Sequence, residues 1–298
     1  MATSLSRSPQ AKTSSALAAS AADLVNPDGD ATTSALTAVP AQPSPGDSYV
    51  QSFARGLEVI RSFSASAPSQ TLSEVAERTG LTRAGARRIL LTLQTLGYVV
   101  TDGRRFRLTP RILDLGFAYL SSMPIWNLAE PVMESLVAEV KESCSAAALD
   151  GADIVYVMRV PTHKIMRISL GVGSRLPAYC TAMGRVLLAD LPPAEALQRL
   201  TLAERKPLTR HTITEVDALM AKVAQARKQG WCLVNQELEE GLIALAAPLV
   251  NRAGRTVAAL NISGQVNRTT ARVMQDTMLP ALLAATREMS RLVQLQNS

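Results

Sequence analysis

Residues 71–108, TLSEVAERTGLTRAGARRILLTLQTLGYVVTDGRRFRL, hold two short helical patterns followed by a hairpin pattern. Thr71 and Glu74 have capping-box spacing, which predicts a helix from Leu72. Leu72, Val75 and Ala76 form its apolar side and Gly80 stops it. Thr82 stands where it can cap a second helix, in which Ile89, Leu90, Leu93 and Leu96 recur at helical spacing and are expected inside; Gly97 ends it. The first turns of that helix instead carry Arg83, Arg87 and Arg88 beside the small residues Ala84, Gly85 and Ala86. Two β-prone runs, Tyr98 to Thr101 and Arg104 to Leu108, flank Asp102-Gly103, a two-residue turn signal. Alternation puts Phe106 and Leu108 on one side of the strand and Arg105 and Arg107 on the other. The pattern predicts a winged helix-turn-helix. Its second helix would enter a major groove, where small residues permit close approach and arginines reach guanine edges or phosphates. The hairpin, with Arg104 and Arg105, would lie against the backbone or the minor groove.

Upstream, Ser52 to Phe63 reads as an opening helix whose Leu57, Ile60 and Phe63 pack behind the second helix. Arg55 near its start suits a phosphate contact, or equally a solvated surface position. Residues 1–48 are rich in Ser, Ala, Thr and Pro and bury too little to order themselves, so a disordered tail is expected. The run from Ser14 to Ala22 is too weakly apolar for a signal peptide, which points to a cytoplasmic protein. Residues 49–109 are then the DNA module. Thr109-Pro110 opens a linker helix over 110–123, ended by Pro124. Its Ile112, Leu113, Leu115, Phe117, Tyr119 and Leu120 must bury against something, either a twin helix in a dimer or the chain's own second domain.

From 124 to 298 the pattern is mixed. Helices are expected over Leu128 to Glu142, from Thr181, over Glu195 to Leu200, over Glu215 to Lys228, and in one long run from Thr270 to Leu295. Strands are expected over Ala146 to Leu149, Ile154 to Val160, Ile165 to Leu170, Trp231 to Asn235, Ile243 to Val250 and Thr256 to Ser263. Strands arriving in antiparallel hairpins, with helices clustered separately, indicate an α+β sensor domain rather than a doubly wound sheet.

The net charge of +6 is concentrated where DNA would lie: residues 49–123 hold ten arginines, no lysine and five acids. No apolar run approaches the ~20 residues of a membrane span. Cys144, Cys180 and Cys232 lack metal-ligand spacing, and no cofactor motif is present. His163 and His211 are the two histidines, with no nucleophile elbow or metalloprotease motif around them, and Glu239-Glu240 reads as a solvated turn. No residue is therefore assigned to catalysis. A ligand site is better supported. In RLPAYCTAMGR, a loop runs into a helix start where Ala182, Met183 and Gly184 would offer free amides to a carboxylate, unless this is an ordinary packed helix start. Asn261 and Ser263 share one side of an otherwise apolar strand and want partners that a ligand or a water would supply.

The chain resembles the IclR family of bacterial transcriptional regulators over about residues 49 to 295. SFARGLEVIRSF, TLSEVAERTGLTRAGARRILLTLQTLGYV, RLPAYCTAMGRVLLA and AALNISG carry the likeness in that order. The resemblance implies a winged helix-turn-helix, a linker helix and a GAF-like effector domain, working on a double-stranded operator as a homodimer or dimer of dimers. SFARGLEVIRSFS and LTRAGARRILLTL look most like the branch controlling protocatechuate, 4-hydroxybenzoate and β-ketoadipate catabolism. That implies a small-carboxylate effector, an aromatic acid or β-ketoadipate, and often an activator. By the same resemblance Ile165 and Ile168 supply pocket wall, Ala182 and Met183 supply amides, and Asn261 and Ser263 supply polar contacts. Val234 and Ala244 occupy pocket positions that are polar or sulfur-bearing in acetate-metabolism relatives, so a larger effector than glyoxylate or pyruvate is expected. The alternatives are a repressor of another small-acid pathway, a GAF-like enzyme, and a nucleoid-type DNA binder without an effector.

Overall fold

The computed structural model describes residues 46, 49–121, 125–162 and 170–296. All of the expected tail over 1–48 but Gly46, the end of the linker at Pro124, His163, and most of the expected strand from Ile165 to Leu170 lie outside them.

Three helices and a small sheet form the first module: α1 (Gln51–Ser62), β1 (Gln70–Thr71), α2 (Leu72–Thr79), α3 (Arg83–Thr95), β2 (Val99–Thr101) and β3 (Arg105–Leu108). The α2 capping box forms as expected. The Glu74 amide donates to Thr71 Oγ1 at 3.3 Å, and the Thr71 amide donates to Glu74 Oε2 at 2.6 Å. Gly80 then takes the left-handed conformation (φ 64°) that ends the helix. Val59, Val75, Ala76, Ala86, Leu90, Leu93 and Val99 are the buried core, with Ile60, Phe63, Ile89, Phe106 and Leu108 packed around it.

Three expectations are corrected here. Leu57 is exposed and Val59 takes the inward position, because Leu57 falls on a separate stripe with Tyr49, Val50 and Phe53. Leu96 is exposed as well: it lies past the last helical residue, where the inward periodicity no longer applies. The wing turn is displaced by one residue. Asp102 pairs with Arg105, leaving Gly103 and Arg104 as the central residues, because the Asp102 carboxylate accepts both the Arg104 and Arg105 amides and Gly103 supplies φ 95°. β1, which the sequence reading omitted, pairs β3 and gives the order β1-β3-β2.

The linker starts with a 3₁₀ turn (Pro110–Ile112) and continues as α4 (Leu113–Ser121). Arg111 ties it to the module by donating to the Leu96 carbonyl at 2.8 Å. No residue of α4 is buried, and Leu113, Leu115, Phe117 and Tyr119 are exposed.

The second domain comprises α5 (Ile125–Val140), β4 (Ser143–Asp150), β5 (Asp153–Val160), β6 (Arg175–Pro177), α6 (Ala182–Asp190), α7 (Pro193–Leu202), α8 (Val216–Gln229), β7 (Cys232–Asn235), β8 (Leu242–Val250) and β9 (Thr256–Gln265). It ends in α9 (Ala271–Val273), a π-helical segment (Met274–Met278) and α10 (Leu279–Gln296). The strands make one antiparallel sheet, β6-β5-β4-β9-β8-β7. Alternation divides its faces. Ile243, Leu245, Ala247 and Leu249 of β8, with Ala258, Leu260 and Ile262 of β9, pack under α5 and α10. Ala246 and Ala259 point to the opposite face, under α6 and α8. Helices thus cover both faces of the sheet instead of gathering apart from it. The long C-terminal helix is broken by its π-helical segment just before Pro280, which has no amide to continue the α-helical ladder.

Candidate DNA interface and ligand cavity

The helix-turn-helix presents its cations outward. Thr82 caps α3 by accepting the Gly85 amide at 3.1 Å. Arg83, Arg87 and Arg88 are all exposed on the first turns, beside exposed Ala84 and half-buried Gly85, while Ala86 and Leu90 anchor the opposite side. Arg55 of α1 and Arg104 of the wing are exposed too. Arg105 differs. Its Nη2 donates to the Ser69 carbonyl at 2.8 Å and to Glu74 Oε2 at 3.4 Å, which ties the wing to the α2 cap.

A cavity of about 660 Å³, its open mouth included, lies between the sheet and α6. Strand register explains how its wall forms. Val234 pairs Ala244 and Ala244 pairs Ser263, so those three side chains sit in one row across β7, β8 and β9. Arg159 pairs Ser145 and Ser145 pairs Asn261, making the next row across β5, β4 and β9. Both rows face α6. The Asn261 side-chain Oδ1 accepts the Ser145 backbone amide at 3.0 Å, so the NH2 end of that side chain is left for the cavity. Ser263 also lines it.

α6 closes the cavity with its start. Thr181 caps it by accepting the Gly184 amide at 3.1 Å. That corrects the expected role of Gly184, which does not line the cavity and has its amide already engaged. A Cβ at Gly184 would stand 2.2 Å from the Ala178 carbonyl oxygen; the glycine is there to let α6 press on the preceding loop. The amides of Ala182 and Met183 have no partner among the described residues, and both residues line the cavity. Ile165 and Ile168 lie outside the described residues.

The cavity also holds residues that sequence reasoning missed: Tyr156, Arg159, Leu176, Leu238, Glu239 and Leu242. Glu239 is half-buried, not the solvated turn its Glu-Glu context suggested. Strand period alone would have grouped Tyr156 with the α6 face; the others depend on long-range pairing. Burial raises the Tyr156 phenol to about 12, so it is neutral at pH 7. Burial likewise lifts the Cys180 thiol to about 12 and the Cys232 thiol to about 11, which makes both inert fillers, Cys180 in the cavity wall. His211 is exposed beside Arg210. Among the described residues no cluster of three or more His, Cys, Asp or Glu is arranged to hold a metal, and no helix is long and apolar enough to cross a membrane.

The family profile described as IclR helix-turn-helix domain matches residues 52–103, and that described as bacterial transcriptional regulator IclR C-terminal matches residues 117–291. The chain is 40% identical over 277 residues to the Pca regulon regulatory protein of Pseudomonas putida, covering 90% of this chain and 95% of the relative. It is 35% identical over 252 residues to the p-hydroxybenzoate hydroxylase transcriptional activator of Acinetobacter baylyi, covering 83% and 93%. A crystal structure of a transcriptional regulator from Rhodococcus sp. RHA1 superposes with a TM-score of 0.74 at 47% identity, over 82% of this chain and 98% of that one. These relatives are transcriptional regulators, not enzymes. An outward-facing arginine helix, an α+β domain with a cavity between its sheet and α6, and both profiles in the same order agree: the chain belongs to the IclR family of bacterial transcriptional regulators.

Proposed function

We propose that this regulator controls aromatic-acid catabolism genes by sensing a hydroxylated aromatic carboxylate, such as protocatechuate or 4-hydroxybenzoate, in the cavity under α6. The observation that carries the reading is the chemistry of that cavity. The Ala182 and Met183 amides, without a partner among the described residues, the Asn261 side-chain amide and the Ser263 hydroxyl can receive a carboxylate, while Tyr156, Leu176, Val234, Leu238, Leu242 and Ala244 offer walls for a ring. Apolar Val234 and Ala244 leave room beyond a two- or three-carbon acid. Glu239 on the wall repels a second carboxylate, so monoacids rank ahead of β-ketoadipate. The relative named as an activator supports activation as the output.

The reading divides the chain into a tail (1–48), a DNA module (49–109), a linker (110–123) and an effector domain (124–298), in the cytoplasm. It makes the working unit a homodimer or a dimer of dimers. Support comes from the exposed apolar stripe of Tyr49, Val50, Phe53 and Leu57 at the start of α1 and from α4, where Leu113 is 70% and Phe117 68% exposed and only Leu120 packs on the second domain's core. In the operator complex Arg83, Arg87 and Arg88 enter the major groove, with Thr82 and Gly85 at the approach, while Arg55, Arg104 and Arg105 flank the backbone. A thermal-shift panel of 4-hydroxybenzoate, protocatechuate, β-ketoadipate and pyruvate tests the effector. A ligand at 100 times its Kd adds about 2.7 kcal/mol of stability. A shift with pyruvate alone, or with none of the four, would sink the assignment.

A further inference from the structure

A buried, forked ion pair in the second domain stands behind the cavity wall and does not line it. Arg185, in the second turn of α6, is 1% exposed, and Glu237, between β7 and β8, is 7% exposed. Arg185 Nη1 donates to Glu237 Oε1 at 2.7 Å and Nη2 donates to Oε2 at 2.5 Å. The third nitrogen, Nε, donates to the Tyr179 carbonyl at 2.9 Å, in the loop leading into α6. Glu237 is fixed from its other side. Its Oε2 accepts the Ile213 amide at 3.3 Å and its carbonyl accepts the Thr212 hydroxyl at 2.6 Å, while the Thr209 hydroxyl donates to the neighbouring Gln236 carbonyl. Gln236 sits at φ 61°, a conformation that a non-glycine residue keeps only where its surroundings hold it.

One guanidinium thus joins three pieces of chain, and each supplies cavity wall. The loop before α6 gives Cys180 and Thr181, the α6 start gives Ala182 and Met183, and the segment after Glu237 gives Leu238 and Glu239. A buried ion pair is a poor source of stability, since desolvation offsets most of the attraction, but its forked geometry fixes relative position. We infer that Arg185 and Glu237 are positioning residues for effector recognition, holding the α6 amides and the Leu238–Glu239 wall at one separation. This rests on the effector reading above.

The test compares the full-length chain with the variants Arg185→Met/Glu237→Gln, which removes both charges and keeps volume, and Arg185→Lys, which keeps the charge and loses the fork. Four readouts are taken: thermal midpoint, operator affinity without ligand, affinity for 4-hydroxybenzoate and protocatechuate, and amide hydrogen exchange without ligand. The double variant should keep its midpoint and its operator affinity. Its affinity for whichever acid the wild type binds should fall about tenfold, the effect of misaligning one charge-assisted hydrogen bond. Exchange should quicken together over residues 177–184 and 236–242 and nowhere else. Wild-type acid affinity in the folded double variant overturns the inference. If the double variant fails to fold, Arg185→Lys with unchanged acid affinity overturns it. Unchanged or uniformly faster exchange overturns it whatever acid is bound, whereas a wild type that binds neither acid overturns the effector reading alone.

Discussion

Gly184→Ala should damage effector sensing from a position that touches no effector. The added Cβ would sit 2.2 Å from the Ala178 carbonyl oxygen, 2.4 Å from its Cα and 2.6 Å from its carbonyl carbon, and backbone cannot rotate aside as a side-chain tip can. Ordinary contact for such atoms is about 3.5 Å, so α6 and the preceding loop must part by at least ~1 Å. Overpacking of this kind costs about 1–3 kcal/mol, and in a domain of this size each kcal/mol lowers the melting midpoint by roughly 2–4 °C. A drop on the order of 5 °C follows. The parting also carries the Ala182 and Met183 amides away from the cavity wall, so acid affinity should fall while operator affinity without ligand holds. Gly56→Ala is the control, another mid-helix glycine at which a Cβ meets nothing within 4 Å. There alanine should stabilise by about 0.5–1 kcal/mol through its better helix propensity. Calorimetry and circular dichroism melts read both effects. A Gly184→Ala protein that melts with the wild type and binds the acid normally would refute the close-packing argument.

On the DNA side, Arg87→Ala or Arg88→Ala should cost about 1–3 kcal/mol on the operator and relax preference at one position if the arginine reads a base. If it meets a phosphate, affinity should instead fall alike on all sequences with the salt slope reduced by about one; footprints unchanged in both variants would dismiss α3 as the reading helix. Acid should loosen the module at its two local carboxylate caps. Hydrogen bonds from the Thr71 amide and hydroxyl hold the Glu74 carboxyl below its usual range, and the Arg105 and Arg104 amides do the same for Asp102. A depressed folded pKa contributes stability above the unfolded value and loses it as pH falls through the folded one, so melts should be flat from about pH 8 to 5 and decline below about pH 4. Glu74→Gln with Asp102→Asn should flatten that acid limb, and an unaltered limb would show that the caps do not set it.

How much of this was legible in the sequence depends on the range of the signal. The α2 capping box, the α3 cap, the core residues Leu90 and Leu93 and the outward-and-inward alternation of the wing are set by neighbours within four residues, and they stand as read. The local errors came from competition between two local signals. Asp-Gly is a turn signal in itself, yet the Asp102 side chain captures two amides and shifts the central pair to Gly103-Arg104. Leu57 and Leu96 are apolar yet exposed outside the module's core, and hydrophobic periodicity does not say which of two apolar faces looks inward.

The cavity lies at the far end of that scale. Asn261 and Ser263 stood out because two polar residues interrupted an apolar strand, and Val234 and Ala244 came from family likeness, but nothing local put Val234, Ala244 and Ser263 in one row; that needs the β7–β8 and β8–β9 registers together. Arg185 shows the limit most sharply. In the string AMGRVLLAD an arginine four residues past a helix cap reads as a solvated cation, and Glu237 in QELEEG reads as part of an acidic turn. Their meeting joins positions 52 residues apart and is invisible to spacing, charge counting or periodicity. The one residue beside them that could have raised suspicion is Gly184, since a glycine inside a helix needs a packing reason. Once α6 is seen pressed on Ala178, the side chain that follows has no route to solvent, and a buried guanidinium must find a carboxylate. The close approach at Gly184 and the ion pair at Arg185 are therefore two parts of one arrangement, which is why a methyl group added at the first should disturb the same wall as the loss of charge at the second.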